Sequence, residues 1–153
     1  MADVQFRVHY DFEVPARMLW DELVDWEAHA AWIPMTRMDV EPGDPTAVGA
    51  AFTAYTGLGP VALKDRMRVT SCDWDEVAGS GTCTVEKLGP VLLGEAGFTV
   101  ASSSTGSTID WFEDVQVKYL PRFLAPVAAK AAASGFKHGM KRLAKLLVER
   151  HAA

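Results

Sequence analysis

The chain has 153 residues, 49% of them hydrophobic and 23% charged, which fits one globular domain (residues 1–153) able to bury its core without metal or disulfide support. No apolar run reaches the roughly eighteen residues of a membrane span, and the opening MADVQFRVHYDF lacks the basic and apolar regions of a secretory signal, so a cytoplasmic location is expected. The net charge of −5 divides into −12 over residues 1–116 (7 Lys+Arg, 19 Asp+Glu) and +7 over residues 117–153 (8 against 1), and so acidic a body argues against a nucleic-acid partner.

The first segment alternates without fault, with Val4, Phe6, Val8, Tyr10, Phe12 and Val14 on one side and polar residues on the other, the pattern of a strand with one buried face. Pro15 suits the first position of a helix that Met18, Leu19, Leu23 and Val24 continue to about Asp25. A second short helix is expected from about Glu27 to Trp32, where Pro34 stops it. Strand and turn signals then take over. Met35 to Glu41 is closed by Pro42-Gly43-Asp44-Pro45, and Gly49 to Thr56 by Gly57-Leu58-Gly59-Pro60. Val61 to Asp75 is a longer strand, with a turn around Ala78 to Gly81 after it. Thr82 to Leu88, Leu93 to Ala101 and Ser107 to Lys118 follow at hairpin spacing, and linkers this short imply antiparallel pairing. Pro121 to Arg150 closes the chain as one long basic helix. The order predicts an α+β fold, a seven-stranded antiparallel sheet with its helices over one face, and a cavity between sheet and helix is the place to look for chemistry.

The segment VPARMLWDELVDWEAHAAWIP resembles the opening helix pair of the START-like or SRPBCC helix-grip superfamily, in its polyketide cyclase/dehydrase and lipid-transport branch. The matching residues are Val14-Pro15, Trp20, Asp25-Trp26 and Trp32-Ile33-Pro34; DRMRVTSCDW (residues 65–74) and IDWFEDV (residues 109–115) are similar to the corresponding strands. The chain departs at Asp73-Trp74-Asp75-Glu76, where many members carry a Pro pair. The resemblance implies a helix-grip fold, with a curved sheet and long C-terminal helix enclosing an apolar cavity, and a small hydrophobic molecule as partner. It does not choose among lipid carriers, metabolite binders and cyclases or aromatases.

Two carboxylates stand on faces that otherwise read as apolar. Glu113 shares its side of the last strand with Ile109, Trp111 and Val115, and Asp65 shares its side of the long strand with Leu63, Met67 and Val69. Taken into a cavity, either could act as a general acid or base or anchor a ligand hydroxyl or amine; the competing reading is a carboxylate held by backbone amides or a nearby Lys or Arg. Arg66 and Arg68 fall on the outer face, where pairing with cross-strand acids is expected. His9 and His29 read as surface residues, whereas His138 falls near the line of Ala131 and Gly135.

Trp111, Phe98 and Met67 from the strands read first as packed core, and such Met and aromatic walls also suit a flat or flexible apolar ligand. On the closing helix Leu124, Ala128, Ala131 and Gly135 are expected to meet the ligand beneath Trp111, because small residues leave space that Phe136, Met140, Leu143 and Leu147 further along would fill. Lys130, Lys137, Lys141 and Lys145 form one basic side, either a solvated face or a transient contact with an anionic membrane. Cys72 and Cys83 show no metal or redox spacing, and there is no HExxH, phosphate loop or nucleophile elbow, so no metal or cofactor is expected. Binding of a small lipid, an aromatic polyketide or a similar molecule is the leading functional expectation. Cyclase or aromatase chemistry through Glu113 or Asp65, and a non-enzymatic interaction role, are the alternatives.

Overall fold

The computed structural model describes residues 1–58 and 62–152. Its elements in chain order are β1 (Ala2–Phe12), α1 (Ala16–Leu23), a 3₁₀ helix (Trp26–Ala31), β2 (Thr36–Val40), β3 (Ala51–Thr56), β4 (Leu63–Asp75), β5 (Ser80–Leu88), β6 (Leu92–Ser103), β7 (Gly106–Val117), a 3₁₀ turn (Arg122–Leu124) and α2 (Ala125–Ala152). The expected turn at Gly59-Pro60 and the strand start at Val61 lie outside the described residues.

The strands form one antiparallel sheet in the order β1-β7-β6-β5-β4-β3-β2, so the first strand of the chain pairs with the last. This is the α+β helix-grip arrangement the sequence implied. The even residues of β1 are buried as far as Val8 and again at Phe12, Tyr10 being only half-buried, while the odd ones face water, so period-two burial follows the alternation. The register slips between Val69 and Ser71 of β4, where a bulge adds to the bend of the sheet. Arg68 pairs with Glu86 at 2.8 Å on the outer face, as its parity requires.

Helix α2 lies across the inner face and is anchored by its C-terminal half, where Met140 and Leu143 are fully buried and Leu147 nearly so. Gly139 allows the closest approach: a Cβ there would stand 3.0 Å from the Trp32 carbonyl oxygen and 3.1 Å from its indole ring. The 3₁₀ helix is held from the other side, since Trp26 stacks on Phe52 of β3 with centroids 4.3 Å apart and donates from Nε1 to the Pro45 carbonyl at 2.9 Å.

Candidate functional site: a cavity with a buried ion triad

Between the sheet and the first half of α2 lies a cavity of about 500 Å³. Its wall is mostly aromatic and aliphatic because inward parity on each strand places such residues there: Phe6 of β1, Phe52 of β3, Met67 of β4, Phe98 of β6 and Trp111 of β7. Phe98 and Trp111 are cross-strand partners with stacked rings 5.5 Å apart. Phe136 of α2 closes on Trp111 at 4.9 Å and on Phe6 at 5.5 Å, and the small Ala128, Ala132 and Gly135 leave the remaining space open on the helix side. A second, more open cleft of about 560 Å³ lies by Met35, Arg37, Tyr55 and Arg142. Among the described residues, no buried ionisable group lines that cleft.

Of the residues expected at the ligand, Trp111, Phe98, Met67, Ala128 and Gly135 line the cavity. Leu124, Ala131 and His138 do not: all three are exposed. The helix is rotated by about one residue from the expected line. The inward track runs through Ala125, Ala128, Ala132, Phe136, Met140, Leu143 and Leu147, set by the bulky residues near the C-terminus, because the alanine-rich first half has little side-to-side contrast of its own.

Both candidate carboxylates are in the wall, and a third residue joins them. Lys87 of β5 is 5% exposed and directs its ammonium between them, with Nζ 2.5 Å from Asp65 Oδ2 and 3.0 Å from Glu113 Oε1. It reaches Met67 Sδ at 3.4 Å as well. Glu113 lies two strands away from Lys87, across β6, and the contact is feasible because β6 carries only Gly94 and Ala96 at the intervening positions. Gly94 is required there for another reason too, since its φ is +131° and a Cβ would fall 2.2 Å from the Asp114 carbonyl oxygen. Parity could have revealed Lys87, which shares its face of β5 with Cys83 and Val85.

One ammonium thus serves two carboxylates, all three side chains being largely buried. Burial alone would lower the Lys87 pKa, but the charges of Glu113 and Asp65 outweigh it and raise the value, so Lys87 stays protonated. Burial raises the Asp65 pKa, and the neighbouring Glu113 adds to the rise against the pull of Lys87. Among the described residues, Asp65 Oδ1, Trp111 Nε1 and Trp32 Nε1 are buried without a hydrogen-bond partner, and of their residues Asp65 and Trp111 line the cavity.

His29 corrects the surface expectation. It is 4% exposed, lines the cavity, and packs between Trp26 at 5.3 Å and Trp32 at 5.0 Å. Its Nε2–H donates to the Leu23 carbonyl at 2.7 Å, and burial lowers its pKa to about 4, so the ring is neutral near pH 7. The signal was the spacing of three in Trp26, His29 and Trp32, which on a 3₁₀ helix puts all three residues on one edge. His9, by contrast, is exposed between Asp110 and Asp11. Cys72 and Cys83 are free thiols directly opposite each other on β4 and β5.

No protein-family model and no curated protein sequence matches the chain. Solved structures do match in fold. A STAR-related lipid transfer protein from Xanthomonas axonopodis (fragment 25–204) aligns with a TM-score of 0.70 at 15% identity over 94% of this chain and 85% of that one. Protein CV1439 from Chromobacterium violaceum gives 0.64 at 18% identity, over 94% and 97% of the two chains. Ara h 8.0201 gives 0.61 at 15% identity, over 97% and 99%. The likeness is one of fold, and the fold is the helix-grip fold.

Proposed function

We propose that this protein binds a small, mainly apolar molecule, a lipid or an aromatic polyketide-like compound, in the cavity between the sheet and α2. The observation that carries the reading is the cavity itself: about 500 Å³ enclosed by aromatic, Met and aliphatic side chains, a volume within the range of small-molecule sites. The solved structure of a STAR-related lipid transfer protein with the same fold lends it support. The test is to denature protein purified from its natural source and analyse the extract by mass spectrometry. A hydrophobic compound released in stoichiometric amount is the expected result, and its absence under several growth conditions overturns the reading.

Catalysis is the second reading, favoured by the presence of Asp65 and Glu113 in the cavity wall. In a cyclase or aromatase one of them moves protons to and from the bound carbon chain, a role for which Asp65, whose pKa burial raises, is suited. Asp65→Asn or Glu113→Gln then abolishes turnover while binding persists. Equal turnover in both variants removes this reading.

Loading of the ligand at a membrane is part of the same proposal. Tyr119 and Phe123 in the segment leading into α2 and Val127 in its first turn are 80%, 79% and 65% exposed, flanked by Lys118, Arg122 and Lys130, and Leu120 and Ala128 beside them belong to the cavity wall. Exposed aromatic and aliphatic side chains ringed by cations suit an anionic lipid surface.

A further inference from the structure

Resting on the reading that the cavity binds an apolar molecule, we propose that Asp65, Lys87 and Glu113 form its head-group subsite. The subsite takes a head that donates hydrogen bonds and carries no negative charge, a hydroxyl or an ammonium, and rejects a carboxylate.

The donor inventory decides this. An ammonium has three N–H groups, and the three acceptors around Lys87 Nζ are Asp65 Oδ2, Glu113 Oε1 and Met67 Sδ. Nothing remains on Lys87 for an anionic head. The acceptors are in surplus: Asp65 Oδ1 is buried with no partner among the described residues, and Glu113 is engaged through Oε1. Two carboxylates set against one ammonium make the triad rich in acceptors within an apolar wall, where one more negative charge is costly and a donor is stabilised. Among the described residues of the cavity wall, a donor left without a partner is the neutral Trp111 Nε1, two residues from Glu113 on the same face of β7, which can serve a hydroxyl oxygen without offsetting the charge. Fatty-acid-like anions therefore fit this cavity less well than the matching alcohols and amines, although the apolar wall treats their chains alike.

The test uses the full chain and the uncharged fluorescent reporter N-phenyl-1-naphthylamine, displaced at about pH 8, where an alkyl amine is cationic and a carboxylate anionic. Dodecanol, dodecylamine and dodecanoate share one alkyl chain and differ in the head. Dodecanol and dodecylamine are expected to displace the reporter at concentrations about tenfold or more below those needed for dodecanoate. Glu113→Gln, which removes one of the two carboxylates, is expected to narrow that gap, chiefly through a gain for dodecanoate; Asp65→Asn provides the same reading if the first variant folds poorly. Equal displacement by all three in the wild type, or a preference for dodecanoate, overturns the head-group assignment and leaves the cavity reading standing. Failure of the folded wild-type protein to bind the reporter overturns the cavity reading, and this inference with it.

Discussion

Lys87 and Glu113 stand on strands that are not neighbours, yet Nζ and Oε1 lie 3.0 Å apart, because the strand between them carries Gly94 and Ala96 where larger side chains would intervene. The pair is buried, with each side chain less than 10% exposed. Its formation converts two carboxylates that would be costly in an apolar wall into members of one network.

Removal of Lys87 exposes that cost. Lys87→Met leaves two buried carboxylates without a counter-charge and is expected to destabilise the fold by about 3 kcal/mol or more, read as a shift in the urea midpoint at unchanged slope. The triple change Asp65→Leu, Lys87→Met, Glu113→Leu is expected to recover most of the loss. A triple variant as unstable as Lys87→Met would contradict this account.

His29 sets an acid-side limit on stability. Its folded pKa, about 4, lies below the ordinary 6.5, so the unfolded chain binds more protons between these values and stability falls as pH drops through that window. The contribution is complete above about pH 6.5 and amounts to about 3 kcal/mol when fully lost. Asp65 acts in the opposite sense, because its raised pKa favours the protonated folded form at low pH. Comparing denaturation of the wild type with His29→Gln from pH 7 to pH 4 cancels the Asp65 contribution. A smaller loss in the variant is expected, and parallel curves would refute it.

Filling the cavity from the helix separates binding from folding. Ala128→Phe projects a ring into the space beneath Trp111 without touching the anchor at Met140, Leu143 and Leu147. Reporter affinity should fall by about tenfold or more while the thermal midpoint moves little. Phe136→Ala acts on stability instead: loss of the contacts to Trp111 and Phe6 is expected to lower it by about 2 kcal/mol, read from the urea midpoint.

The exposed patch at the start of α2 predicts a vesicle preference. Co-sedimentation with phosphatidylglycerol vesicles should exceed that with phosphatidylcholine vesicles and weaken with salt. Phe123→Asp is expected to reduce it strongly with no change in reporter affinity. Equal sedimentation of wild type and variant would rule out this face as the contact.

The fold was legible because each strand announced itself locally. The alternation in Val4 to Phe12 and the turns around Pro42-Gly43 and Ser102-Gly106 depend on near neighbours only, and the strands lie close to where those signals put them. Glu113 and Asp65 were legible for the same reason, since parity along one strand assigns a face. The triad was not, because the meeting of Lys87 with Glu113 depends on sheet order and on the smallness of Ala96, a property of three strands at once. The rotation of α2 follows where alanines supply no contrast: Ala131 lies one residue from Ala132 and His138 one residue from the buried Gly139, and only the distant anchors fix which side faces in. His29 escaped because a 3₁₀ helix has a period of three, not 3.6.

The pairing of β1 with β7 has a consequence for how the chain reaches this state. Ala2 faces Val117, and Ser107 Oγ donates to the Val14 carbonyl at 2.7 Å, contacts between residues about a hundred positions apart. The amino-terminal strand therefore has no sheet partner during synthesis until residues 106–117 have emerged. Its apolar side, Val4 to Phe12, must wait for nearly the whole chain. Long-range pairing of this kind slows folding, and it makes closure of the sheet, with α2 laid over β1, a late event in assembly of the cavity.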